Sequence, residues 1–282
     1  MTPDVSAAAS ALDRFVGTLL LVGAGNMGKA LLTGWIDLGL PPSSISVLEP
    51  EPTLQIADLV HCGLRLNPAP NELPQADVIV LAVKPQVAAD VLPGVKPFAA
   101  PATLTVSIMA GRTLAFLAGG LPAGSAVVRA MPNTPAAIGR SMTVAVANAH
   151  ITPDQRQTAQ QLLAAIGVVE WVDDERLLDP VTAVSGSGPA YVFLLAECLA
   201  RAGVAAGLPA ELAARLARET VTGAAELLHR SPLDAETLRQ NVTSPGGTTA
   251  AALEVLMAAE GLDPLMQKAI AAATRRSRQL AG

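Results

Sequence analysis

Short apolar runs, each closed by glycine or proline, dominate the first half of the chain. Leu19-Leu20-Leu21-Val22 gives way to Gly23-Ala24-Gly25-Asn26-Met27-Gly28 and then to Ala30, Leu31, Gly34, Trp35 and Leu38 at helical spacing. That order predicts a buried strand, a tight turn and a helix. Further strand-like runs are Ile45 to Leu48, Asp77 to Val83, Ala102 to Ser107, Ala126 to Ala130 and Met142 to Ala147. A helix is expected after Thr152-Pro153-Asp154, with Thr152 as N-cap and Pro153 at the first helical position. Strand, loop and helix alternate in the manner of an α/β protein with a doubly wound parallel sheet. From about Asp174 the strand signals vanish and Ala/Leu-rich helical patterns continue to Ala281.

The three glycines stand at G-x-G-x-x-G spacing between strand and helix, which makes a Rossmann-like dinucleotide site the expectation. Gly23 turns the chain, Gly25 lets a pyrophosphate approach the backbone, and Gly28 lets helix and strand pack closely. Ala24, Asn26 and Met27 complete the loop, whose helix N-terminus offers N–H groups to phosphate. Glu49 ends the second strand, where such a fold places the group that meets the adenosine ribose. A carboxylate there accepts hydrogen bonds from ribose hydroxyls and repels a 2′-phosphate, so Glu49 leans toward NADH. The alternative is that Glu49-Pro50-Glu51-Pro52 is only a solvated loop. The segment Ala82-Val83-Lys84-Pro85 follows another strand and is expected to pass under the cofactor. The small residues of Met109-Ala110-Gly111 permit close approach at the nicotinamide end.

The expected organisation is a flexible extension over 1–16, a dinucleotide-binding domain over 17–173 and an all-α domain over 174–282. Helices near Pro189 to Gly203 and Pro209 to His229 carry small and aliphatic residues on more than one face, and such helices need burial on more than one side. A dimer with interleaved helices satisfies that need, and a self-contained helical bundle is the other solution. Ser244-Pro245-Gly246-Gly247-Thr248-Thr249 then opens an Ala-rich helix with little side-chain cover. Its N–H groups suit a carboxylate.

Composition narrows the partners. Over 282 residues, 51% are hydrophobic, enough for a substantial core, and the formal charge is −5 with no Lys/Arg cluster. Nucleic acid and anionic membrane surfaces are therefore disfavoured, and small metabolites favoured. Cys62 and Cys198 lie outside any metal-ligand spacing, which suits a reducing, cytoplasmic compartment. No stretch reads as a membrane span, since Glu197 and Arg201 interrupt the most apolar segment.

Five motifs occur together: Gly23 to Gly28, Ala82 to Pro85, Arg129-Ala130-Met131-Pro132-Asn133-Thr134-Pro135, Ser185-Gly186-Ser187-Gly188-Pro189-Ala190-Tyr191 and Val242 to Thr249. In that order the chain resembles the pyrroline-5-carboxylate reductase family from about Thr18 onward. The resemblance implies reduction of the cyclic imine 1-pyrroline-5-carboxylate to L-proline by NADPH or NADH. It also implies a helical C-terminal domain forming an interlocked homodimer, often assembled further into a decamer. Gly247, Thr248 and Thr249 then fall where the family binds substrate, with backbone N–H groups on the carboxylate and the Thr249 hydroxyl toward the ring nitrogen as the catalytic group. Glu175 and Asn241 match positions near substrate and cofactor, and Asn71 matches an adenosine-side asparagine at altered spacing. Glu49 departs from the polar residue that suits NADPH in many members. No metal is called for, and His61, His150 and His229 lie outside all five motifs. Two other readings are a β-hydroxyacid dehydrogenase-like oxidoreductase and a non-catalytic dinucleotide-binding protein. The first is disfavoured because Lys268 is the only lysine beyond Lys96 and stands outside any motif. The second is disfavoured because the Gly-Gly-Thr-Thr and Ser-Gly-Ser-Gly-Pro turns are intact.

Overall fold

A computed structural model describes residue 12, residues 15–73 and residues 75–281. Most of the extension expected over 1–16 lies outside the described residues; Leu12 is buried in the core. The described residues up to Gly186, together with those from Thr274 onward, make one compact unit, and Ser187–Ala273 makes a second. This division falls about a dozen residues after the expected domain boundary, because Glu175 to Gly186 pack with the sheet unit.

The first unit is an eight-stranded sheet of order β3-β2-β1-β4-β5-β6-β7-β8. Its strands are β1 (Leu19–Val22), β2 (Ile45–Leu48), β3 (Arg65–Leu66), β4 (Ala76–Leu81), β5 (Ala99–Ser107), β6 (Ala126–Met131), β7 (Ser141–Ala147) and β8 (Gly167–Trp171). Its helices are α1 (Asn26–Asp37), α2 (Leu54–Val60), α3 (Ala88–Val95), α4 (Leu114–Gly119), α5 (Pro153–Ala164) and the short α6 (Leu178–Val181). The two-residue period of the strands divides their side chains between two cores. Leu19, Leu21, Val78, Val80, Leu104 and Val106 face α1 and α5, meeting Leu31, Trp35, Ala159 and Leu162. Leu20, Val22, Ile79, Leu81 and Val127 face α3 and α4, meeting Leu92, Val95 and Leu117. Strands covered on both faces must be apolar throughout, which is why β1 reads as an unbroken Leu-Leu-Leu-Val run. Trp35 is fully buried, and its indole N–H donates to the Leu162 carbonyl at 2.8 Å, tying α1 to α5.

The expected doubly wound, mostly parallel sheet is present, with one reversal. β7 runs antiparallel to β6, with Val128 opposite Ala147 and Met131 opposite Val144, while β8 is again parallel to β7. Parallel neighbours need a long crossover, whereas antiparallel ones can be joined directly. The link between β6 and β7 is only Pro132 to Arg140, a 3₁₀ turn over Thr134–Ile138 closed by Gly139 at φ 67°. It leaves no room for a crossover helix. At α5 the expected cap is present as a full capping box, Thr152 Oγ1 accepting from Gln155 N and Gln155 Oε1 accepting from Thr152 N.

The second unit is helical: α7 (Gly188–Ala205), α8 (Ala210–Arg230), α9 (Ala235–Asn241), α10 (Thr248–Leu256) and the start of α11 (Leu262–Ala281). Ahead of it, Thr182–Gly186 forms a π-helical turn that leads into α7. No α7 residue is buried, and Phe193, Leu194, Leu195, Leu216, Leu227 and Leu228 are all exposed. The helical stretch Glu175–Ala205 holds an 18-residue window of mean hydropathy 1.3, long and apolar enough to cross a membrane by length and composition; a single such helix is weak evidence for a span.

Candidate functional site

β1 is hydrogen-bonded to β2 on one side and β4 on the other, so the connections leave in opposite directions at its C-terminal end. Ligands of open α/β sheets bind at such a switch point. A crevice of about 790 Å³ opens there, lined by Gly23, Gly25, Glu49, Asn67, Ala82, Val83 and Lys84, with an apolar wall from Val87, Val91 and Val95.

The glycines behave differently from one another. Gly23 has φ 89°, and a Cβ on it would lie 2.8 Å from Val83 Cγ1 and 2.9 Å from the Ala82 backbone. A side chain at Gly28 would run into the Gly23 carbonyl. Nothing lies within 4 Å of a Cβ built on Gly25, so the fold itself makes no demand for glycine there. Gly25 is the N-cap of α1 without a side-chain cap, and the first turn holds no acidic residue. An uncapped helix start beside open space fits a phosphate group, whose charge the N–H groups and helix dipole favour.

Of the other expected cofactor residues, Ala24, Asn26 and Met27 share this loop and first turn. Pro85 begins the 3₁₀ turn after Lys84, and its carbonyl accepts from Arg112 Nε at 2.8 Å and from Nη2. The Arg112 guanidinium lies 4.7 Å from the Phe116 ring centroid. Met109 is buried just after β5. Ala110 follows it, and Gly111 takes φ 72° with the Leu280 carbonyl 3.2 Å from where a Cβ would stand. Asn71 is exposed in a turn and is not among the crevice residues; Asn67 holds that edge instead.

Glu175 has partners in its own unit. Its Oε1 accepts from the Leu114 backbone N–H at 2.7 Å and from Arg129 Nη1 at 2.9 Å. The Arg129 side chain is 5% exposed and that of Glu175 28%. This bracket joins β6 to the first residue of α4. The neighbouring Asp174 is engaged at the surface, where the Arg176 guanidinium, and then the Arg176 backbone N–H, hold its carboxyl below the usual 3.8. Asn133 forms a second bracket: its amide donates to Ser185 O and Oγ at 3.2 Å and its Oδ1 accepts from Met142 N at 3.0 Å. It ties the β6–β7 link to the π-helical turn.

The remaining expected residues belong to the second unit. Gly246 has φ 70°, and Gly247 is the N-cap of α10 with no side-chain cap. Thr248 and Thr249 are the first two helical residues, the former exposed and the latter half-buried. Asn241 is exposed at the end of α9.

Asn67, Arg112, Arg129 and Asn133 thus support the site without having been assigned a role in it from sequence. Asn67 carried a usable signal, since asparagine is the side chain that best tolerates left-handed turns. A buried arginine in an apolar strand, Arg129, was another, because it requires a partner.

Comparison with known proteins bears on both units. Residues 175–280 match a family described as pyrroline-5-carboxylate reductase dimerisation, and residues 18–111 one described as NADP oxidoreductase, coenzyme F420-dependent. The chain is 41% identical over 265 residues to a pyrroline-5-carboxylate reductase of Pseudomonas aeruginosa, covering 93% of this chain and 96% of that one. It is 41% identical over 262 residues to one of Synechocystis, covering 92% and 97%. Among solved structures, a pyrroline-5-carboxylate reductase from Coxiella burnetii aligns with TM-score 0.86 at 35% identity, over 95% of this chain and 100% of that one. A pyrroline carboxylate reductase of Plasmodium falciparum with NADP bound aligns with TM-score 0.78 at 29% identity, over 94% and 98%.

Proposed function

This chain belongs to the pyrroline-5-carboxylate reductase family, and on that premise we propose that it reduces 1-pyrroline-5-carboxylate to L-proline with NAD(P)H, the last step of proline synthesis. The observation that carries the reading is that the relationship runs through both units, at 41% identity over 93% of the chain. It therefore takes in the crevice at the sheet switch point and the uncapped Gly-Gly-Thr-Thr helix start.

When bound, the nicotinamide supplies the hydride, and the protein's task is to place the imine carbon against it in a dry site. Gly23, Gly25 and the start of α1 would hold the pyrophosphate, and Ala82 to Pro85 and Met109 to Gly111 would contribute to the rest of the cofactor site. The backbone N–H groups of Gly247, Thr248 and Thr249 receive the substrate carboxylate. The Thr249 hydroxyl orients the ring nitrogen; the imine, protonated before the transfer by water or by the substrate itself, is already electrophilic and becomes the secondary amine when hydride adds at carbon. Glu175 is a positioning residue: through Leu114 and Arg129 it ties the start of α4 to β6. The family resemblance assigns Asn241 to the cofactor. The exposed aliphatic faces of α7 and α8 support assembly of the helical unit into a homodimer, which would bury them. We take the enzyme to be cytoplasmic, in keeping with its two free cysteines, Cys62 and Cys198.

The test is oxidation of NADH and NADPH by the purified chain with pyrroline-5-carboxylate as acceptor, proline being identified as product. Proline formation with either cofactor is expected, and its absence with both would overturn the assignment.

A further inference from the structure

We propose that Asn67 and Glu49 act together to select NADH over NADPH, Glu49 reading the free ribose hydroxyls and Asn67 fixing it in place; the proposal rests on the dinucleotide reading of the crevice.

The two residues are interlocked. The Glu49 backbone N–H donates to Asn67 Oδ1 at 2.8 Å, and Asn67 Nδ2 donates to the Glu49 carbonyl at 2.9 Å. One side-chain amide thus satisfies both backbone groups of Glu49, just where β2 ends and strand pairing stops. To do this Asn67 takes φ 50°, the only positive φ of a non-glycine residue among the described residues. A left-handed asparagine is uncommon and points to a constraint.

The carboxylate is held as well. Glu49 Oε2 accepts from Ala24 N–H in the glycine loop at 2.7 Å, and Oε1 accepts from Glu51 N–H at 3.1 Å. Backbone clamp and carboxylate bonds together hold Glu49 at the crevice wall, on the edge where the ribose of a bound dinucleotide belongs. An ionised carboxylate only accepts hydrogen bonds, and each oxygen retains capacity beyond the bond it already makes. Two ribose hydroxyls are donors that match it. A 2′-phosphate brings negative charge and acceptors instead, and NADP-binding sites of this kind answer it with an arginine. Among the crevice residues Lys84 is the one cation, set against Glu49 and Asp90, and the neighbouring loop adds Glu51. The site therefore repels the extra phosphate.

A purely structural role for Glu49, as a brace on the glycine loop, predicts something different: its loss would weaken both cofactors alike. Direct binding separates the two, with NADH and NADPH titrated into the full-length chain and followed by fluorescence or calorimetry, without substrate. The wild type is expected to bind NADH at least ten-fold more tightly. In Glu49→Gln the ratio should shrink to within about three-fold, chiefly because NADPH binds better. Asn67→Gly keeps the left-handed backbone accessible while removing the clamp, and should give an intermediate ratio with little change in thermal stability. Equal or tighter binding of NADPH by the wild type would overturn the proposal, as would an unchanged ratio in Glu49→Gln. Preference for NADH without any proline formation would support this inference and remove the functional reading. Proline formation with no preference would do the reverse.

Discussion

Gly25 is the glycine of the loop at which the protein itself leaves room for a side chain. Its backbone, at φ −65° and ψ −169°, is open to any residue, and an added methyl meets nothing within 4 Å. Alanine is a poorer N-cap than glycine by about 1 kcal/mol, and reduced freedom of the unfolded chain returns about 0.4–1 kcal/mol. Gly25→Ala should therefore change stability by less than about 1 kcal/mol, a shift of at most a few degrees in a chain of this size. The methyl does stand where a pyrophosphate would approach, so dinucleotide affinity should fall by about ten-fold or more, roughly 1.4 kcal/mol. Gly28→Ala is the counterpart. Its methyl would strike the Gly23 carbonyl and lie 3.2 Å from Ala82 Cβ, forcing α1 away from the sheet. Overpacking of this kind costs about 1–3 kcal/mol or more, and its thermal midpoint should drop clearly. Thermal denaturation and a dinucleotide titration on both variants provide the assay. Undiminished affinity in Gly25→Ala, or a stability loss as large as that of Gly28→Ala, would refute the assignment of Gly25 to phosphate approach.

Two further outcomes are expected. Thr249→Ala should lower kcat by about 100-fold, the cost of misplacing the ring by about 1 Å once its nitrogen is no longer oriented. Its dinucleotide dissociation constant should stay within two-fold of wild type, and an equal loss of cofactor affinity would contradict the substrate-side role. Glu175→Ala strands the buried Arg129 guanidinium and should destabilise the sheet unit by on the order of 2 kcal/mol, less than a fully buried pair because Glu175 is partly exposed. Glu175→Gln, which can still accept from Leu114 N–H, should lose less by chemical denaturation; equal losses would locate the effect elsewhere.

What the amino-acid sequence determined by itself was whatever depends on local periodicity and on backbone chemistry. The Leu-Leu-Leu-Val run, the glycine spacing and the helical pattern after Gly28 specify strand, turn and helix without help from distant residues. The same holds for the Thr152 cap of α5, whose capping box lies within four consecutive residues. Glu49 could be placed at a strand end by counting from the glycines. Elements governed by distant partners were not legible. β8, with Glu170 exposed, and the two-residue β3 pair only at the sheet edges, where neither shows a continuous apolar run. β7 reads like any other strand, because side-chain alternation carries no record of chain direction; the short Pro132–Arg140 link decided its reversal. Glu175 is placed near the substrate by family resemblance alone, and nothing local shows that Arg129 and Leu114, 46 and 61 residues away, share its Oε1. Asn67 shows the same limit from the other side. Its two bonds to the Glu49 backbone cross 18 residues and exist only once β2 and β3 lie side by side. Tertiary structure decides such pairings because a hydrogen bond is set by distance and direction in space, and sequence spacing measures neither beyond a turn or two.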